Sequence, residues 1–186
     1  MVSSGGVFAE ARGGWVNDDS RLADDDPCAL AIMAAEQQLL ASGHNASVVR
    51  VAGIYGIPGS RLMSRVGRGE LCHSEPVSYT NRIHRDDCAG FLAHLLQLVD
   101  VGKKIESLYI GVDNEPAPRY EVETWLAGAM VLEVLPQQRL PASVDQPTGR
   151  GESGHKRGRN KALHDGGYQL IYPDDKSGYN ALLAQN

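Results

Sequence analysis

The chain has 186 residues, 22% of them charged, with a formal net charge of -5 at pH 7. That length holds one domain with a proper core, and the acidic balance points to neither nucleic acid nor an anionic membrane surface as a partner. No apolar run approaches the ~20 residues needed to cross a bilayer, and the start MVSSGGVF lacks the basic residues and long apolar core of a secretory signal, so a cytoplasmic protein is expected. Cys28, Cys72 and Cys88 are odd in number and lack CxxC spacing, which predicts neither a disulfide framework nor a metal site but three buried or half-buried small hydrophobes.

Met1-Val2-Ser3-Ser4 reads as the end of a strand. Glu10–Asp26 is polar and turn-rich, an exposed loop onto which Trp15 is expected to fold back as a plug. Pro27 suits the first position of a helix capped by Asp26, which runs to Ser42 and is closed by Gly43. Its first two turns, Cys28 to Ala35, are apolar nearly all round, predicting burial on more than one side. Val48, Val49 and Val51 form a β-branched run suited to a buried parallel strand, and Gly53, Gly56, Pro58 and Gly59 predict that it ends in an irregular loop carrying Tyr55. Ligands of open α/β sheets lie outside the carboxyl ends of strands, so Gly53–Gly59 is the expected ligand loop.

A short helix over Ser60–Gly67 presents Leu62, Met63 and Val66 on one face. Asn81–His84 reads as extended and leads to Asp86 and Asp87, which suit the N-cap of a helix running to Val99. Ser107–Val112 predicts a buried strand, Arg119–Leu132 a helix, Pro136–Asn160 a long flexible loop, and Lys176–Ala184 a final helix.

The order R-x-A-G-I-Y-G at Arg50–Gly56, then N-R-I-H-x-D-D at Asn81–Asp87, then G-Y at Gly167-Tyr168 and Y-P at Tyr172-Pro173, resembles the second half of the extended short-chain dehydrogenases/reductases. This family includes nucleotide-sugar epimerases and dehydratases, and the likeness is strongest to its atypical NAD(P)-binding branch. The resemblance implies an α/β fold: the C-terminal part of a Rossmann-type parallel sheet over residues 1–112, plus a small α+β C-terminal lobe over 113–186. No G-x-G-x-x-G or G-x-x-G-x-x-G follows an N-terminal strand, and those glycines are what let a backbone approach a pyrophosphate. About ~90 residues, roughly three βα units, are therefore expected to be missing before Met1.

In the resembled family a Ser or Thr at the strand end, a Tyr, and a Lys four residues after the Tyr form the catalytic group; the i+4 spacing puts Tyr and Lys on one helical face. Aligned on the Ser-Ser pair and the A-A-E of the helix, Ser4 holds the Ser/Thr position, Cys28 the Tyr position and Ile32 the Lys position. A thiol without a basic neighbour stays protonated and isoleucine cannot bind a ribose, so the usual pair is absent. Ser4 and Tyr55 remain as cofactor-side candidates, although each has a bland alternative, a local backbone hydrogen bond for Ser4 and loop packing for Tyr55. On the substrate side the candidates are Arg82, His84, Arg157 and Arg159. The last two belong to the run His155–Lys161, whose guanidiniums suit phosphate oxygens but equally suit plain solvation; Arg50, Arg65 and Arg68 could add to such a pocket.

The expectation is a fragment of an NAD(P)-binding oxidoreductase or nucleotide-sugar epimerase-like protein acting on a small molecule, inactive alone and not binding NAD or NADP by itself. The alternative is a non-catalytic interaction module that pairs its exposed sheet edge with a partner chain. A homodimer through the Pro27–Ser42 helix, or pairing with a missing N-terminal half, is compatible with either.

Overall fold

The β-branched run forms a strand that runs between two parallel neighbours. The computed structural model describes residues 1–130 and 155–184. In it β1 (Val2–Ser4) lies on one side of β3 (Val48–Val51) and β7 (Leu108–Gly111) on the other, with Val49 opposite both Val2 and Tyr109. Side chains alternate across this sheet. Val49 and Tyr109 join Phe91 and Leu95 of α3 (Arg85–Asp100) and Leu163 of α5 (Lys161–Asp165) in one core, while Ile110 and Val112 face Phe8 and Val16 in another. β1 is an edge strand, with Met1 and Val2 about half exposed.

The first helix, α1 (Pro27–Leu40), starts as its sequence dictates, with Pro27 in its first turn and the Asp26 carboxylate accepting from Cys28 N. Its burial differs from expectation. Only Ala29 and Glu36 are buried, and Leu30 and Leu40 stay 47% and 43% exposed. An apolar helix surface does not distinguish a core from a face open to another chain, and α1 packs mainly on β1 and the 3-10 turn Gly5–Val7, with Glu36 reaching Arg50 of β3. Cys72 and Cys88 are buried as expected, but Cys28 is exposed.

Three further corrections share one cause, since very short strands have too few residues to show a period. Gly53–Tyr55 is not irregular: it forms β4, parallel to β6 (Arg82–His84). Arg157–Gly158, expected within a loop, forms β9, parallel to β2 (Trp15–Val16), whereas residues 136–154 of that expected loop lie outside the described residues. Within the Glu10–Asp26 segment the anchor is Val16, 2% exposed, while Trp15 is 45% exposed.

Elsewhere α2 (Arg61–Gly67) is capped by Ser60, and β5 (Tyr79–Thr80) pairs antiparallel with β8 (Ala117–Pro118) ahead of α4 (Arg119–Ala129). Helix α3 starts two residues before Asp87. Its cap is His84, whose Nδ1 accepts from Asp86 N. Asp87 is instead fully buried: it accepts from Ile171 N at 2.6 Å, Tyr172 N at 2.9 Å and the Tyr168 hydroxyl at 3.3 Å, tying the C-terminal segment to α3. That segment ends in α6 (Asp175–Leu183), which opens with a reciprocal capping box between Asp174 and Ser177. Helices α2, α4 and α6 close around Tyr55, Met63, Val66, Leu126 and Tyr179 as a core of their own.

Candidate functional site

A cavity of about 690 Å³ opens where β1, β3 and β7 end, the place that parallel-sheet geometry reserves for ligands. Ser4, Cys28 and Ile32 all lie on its wall. Ser4 ends β1 and its Oγ accepts from Gly6 N at 3.1 Å, capping the 3-10 turn. Cys28 and Ile32 project from the first turns of α1, so that face of the cavity carries a thiol and a branched alkyl group.

Arg50, from the middle of β3, also reaches the wall but is already engaged. Its Nε and Nη2 donate to Glu36 at 3.1 and 2.7 Å, both side chains being nearly fully buried, and the Ser3 hydroxyl donates to the same carboxylate. Burial alone would raise the Glu36 pKa; the hydrogen bonds from Arg50 and Ser3 overcome it and hold the carboxyl below its ordinary value. The pair fastens α1 to β3.

The basic run at the C-terminal end of the chain divides. Lys156 points inward onto the cavity wall, and burial pushes its ammonium down to about 8, against the opposing charge of Glu10. Arg157 and Arg159 point outward. Arg157 donates to Gly13 O at 2.8 Å and lies 5.0 Å from the Trp15 ring and 4.6 Å from the Tyr79 ring, while Arg159 lies 4.8 Å from Trp15. Tyr79 stacks on His155 and itself lines the cavity, so this cation-aromatic ladder starts at the cavity mouth.

Tyr55, Arg82 and His84 are brought together, but away from this cavity. Tyr55 and Arg82 lie close enough to feel the charge of Asp113, the residue two past the end of β7, which is 2% exposed and whose Oδ2 has no hydrogen-bond partner among the described residues. Burial, then the nearby charge of Asp175, push Asp113 up to about 8. Arg82 lies 3.8 Å from Asp175 and donates to the Tyr179 hydroxyl at 3.4 Å; Tyr55 donates to Asp174 O at 3.3 Å, and burial, reinforced by Asp113, raises its phenol well above the ordinary value. His84 packs edge-on to Tyr55 and 4.0 Å from the Tyr172 ring centroid, and burial lowers its imidazole. Arg65 pairs with the buried Glu123, and Arg68 with Glu70 at the surface. Among the described residues no group of three acids, histidines or cysteines could hold a metal ion.

Sequence reasoning did not single out Asp113, Glu36 or, within the basic run, Lys156. For Asp113 a signal existed: an acid directly after the apolar run L-Y-I-G-V has little chance of reaching solvent. Lys156 differs from its neighbours only through alternation along a strand that the sequence does not reveal.

A short parallel sheet with helices packed on it and a cavity at its carboxyl end defines an α/β protein of Rossmann type. No protein-family model matches the chain, and no curated protein does. Solved structures do. A protein described as an NAD-dependent epimerase/dehydratase, from Methylobacillus flagellatus, is 33% identical with a TM-score of 0.76 over 99% of this chain and 62% of its own. A conserved protein of unknown function from Silicibacter pomeroyi is 29% identical with a TM-score of 0.81 over 99% and 65%. A human epimerase family protein solved with NADPH, at 18% identity, shares the fold with a TM-score of 0.77 over 100% and 64%. These likenesses support an extended short-chain dehydrogenase/reductase-like family, that of the NAD-dependent epimerases/dehydratases. It spans less than two thirds of the length of these three structures. No helix among the described residues is long and apolar enough to cross a membrane.

Proposed function

We propose that this chain is the substrate-side portion of an NAD(P)-binding epimerase- or reductase-like protein in which the Tyr/Lys pair has been lost. Residues 1–112 supply the second half of the dinucleotide-binding unit and 113–186 the substrate-side lobe, to which α2 adds from the first part. The observation that carries the reading is the convergence of Ser4, Cys28 and Ile32 on one cavity at the carboxyl end of the sheet.

The described residues fit the nicotinamide end of a dinucleotide: a half-apolar cavity with Ser4 as a hydroxyl on its floor and room for a planar ring. Bound there, the cofactor would supply hydride chemistry. Ser4 would orient a carbonyl or hydroxyl, and Cys28 and Ile32 would give that wall shape rather than a proton. Nothing in the sequence supplies the glycine turn for the pyrophosphate, so the chain alone binds NAD or NADP weakly. Arg157 and Arg159, stacked on Trp15, would meet phosphates of a small-molecule substrate, and Tyr55, Arg82 and His84 would serve as packing of the substrate-side lobe.

The test is a fluorescence titration with NADPH, first of the chain alone and then with a polypeptide supplying the glycine-rich half. Weak binding that tightens on addition supports the reading; micromolar binding by the chain alone, or no gain on addition, overturns it. A second reading, a module that works by pairing with another chain, is favoured by the open edge of β1 beside the exposed Leu30 and Leu40 of α1. Sedimentation of the pure chain addresses it, since that reading expects a dimer or larger species.

A further inference from the structure

We propose that the cavity beside Ser4 receives its ligand through an anionic oxygen group, a carboxylate or a phosphoryl, seated on the Lys156 ammonium. Three cationic side chains reach the cavity wall. Arg50 is closed by Glu36, and Arg119 donates to Glu123 at 2.9 Å. Lys156 differs. It is 3% exposed, its Nζ donates to Phe8 O at 2.7 Å and Gly5 O at 3.4 Å, and no carboxylate lies within ion-pairing distance among the described residues. Glu10, the acid whose charge reaches it, is turned away to accept from Arg12 N and Gly14 N.

Two neutral carbonyls satisfy two of the three N–H groups of an ammonium and none of its charge. A buried cation in that state is costly, and the cost is relieved by any anion that enters. The position is built rather than accidental. Asn81 grips the backbone on both sides of Arg157, donating to Lys156 O at 2.8 Å and accepting from Gly158 N at 2.6 Å, which fixes Lys156 facing inward. Ser4 and Ser78 also line the cavity and offer hydroxyls for the remaining anion oxygens. The inference rests on the reading of this cavity as a ligand site but needs neither dinucleotide nor turnover, so it stands or fails separately from the NADPH titration.

The test is thermal stabilisation of the chain by pyruvate, inorganic phosphate and the neutral control acetamide at constant ionic strength, in the native protein and in Lys156→Met, Lys156→Arg and Lys161→Met. Pyruvate or phosphate should stabilise the native protein and Lys161→Met alike, acetamide neither; which anion acts more strongly identifies carboxylate or phosphoryl. Lys156→Met should weaken the response about tenfold to a hundredfold in apparent Kd, and Lys156→Arg should keep part of it. Because Lys156→Met also removes an internal support, the Lys156 Nζ resonance in the native protein is followed as a second readout and should shift on addition of the active anion. No stabilisation by either anion, an equal response in Lys156→Met, or an unmoved Nζ resonance overturns the proposal.

Discussion

Asp113 gives the sharpest test of the buried cluster. Folded, it keeps its proton to about pH 8; unfolded, it releases it near the ordinary aspartate value of 3.8. Between those values the folded state binds one more proton than the unfolded state, so stability contributed by this group is full below the unfolded pKa and falls as pH rises, by about 1.4 kcal/mol per unit. At pH 7 the loss amounts to about 4 kcal/mol, and it levels off above pH 8. Against a typical folding free energy of about 5–15 kcal/mol this is large. Asp113→Asn keeps the shape, keeps an acceptor for Glu115 N, and cannot ionise. It should therefore raise stability by about 4 kcal/mol at pH 7 and by roughly 5–6 kcal/mol at pH 8–9, and flatten the pH dependence, as read from urea unfolding monitored by circular dichroism at unit steps from pH 5 to 9. A variant no more stable than the native chain at pH 8, or one with the same slope, refutes the assignment of that proton. Asp175, whose carboxyl is also raised by burial, leaves a smaller residual slope in either case.

Asp87→Ala strands the N–H groups of Ile171 and Tyr172 and should cost about 3 kcal/mol or more, with Asp87→Asn costing less because it retains an acceptor; thermal melts compare them. Glu36→Gln leaves Arg50 buried without its counter-charge, at about 3–5 kcal/mol, whereas Glu36→Leu combined with Arg50→Met should recover most of that loss in denaturant titrations. In Gly178→Ala the new methyl would lie 2.0 Å from the Tyr55 hydroxyl, and the overpacking, about 1–3 kcal/mol, should outweigh the gain in helix propensity of about 1 kcal/mol, giving a lowered melting temperature. Cys28→Tyr with Ile32→Lys, in a chain complemented by a glycine-rich half, should strengthen NADPH binding through the restored lysine; unchanged binding would remove the main support for the alignment of α1 with the catalytic helix.

What could be read from the sequence was whatever a local signal encodes. The Val48–Val51 run, the Asp26-Pro27 start of α1 and the apolar stripe of α3 each carry their own period or cap, and each formed. The pairings Trp15 to Arg157 and Gly53 to Arg82 carry none: strands of two or three residues have no visible alternation, and their partners are distant in sequence. The site divides in the same way. Ser4, Cys28 and Ile32 were found by motif order and share a cavity, while Tyr55, Arg82 and His84 share a different environment because β4 and β6 pair and set Tyr55 opposite His84. The cap of α3 fell to His84 rather than an aspartate because the buried Asp87 is occupied by the C-terminal segment.

The two walls of the cavity point to one further step. In the resembled family the proton donor and the ammonium stand together on one helix face, four residues apart. Here α1 brings Cys28 and Ile32 to the cavity, and the ammonium comes from another element, carried by Lys156 beside β9. A ligand entering this cavity would then be held by its anionic end at Lys156, with Cys28 and Ile32 as a less polar part of the lining.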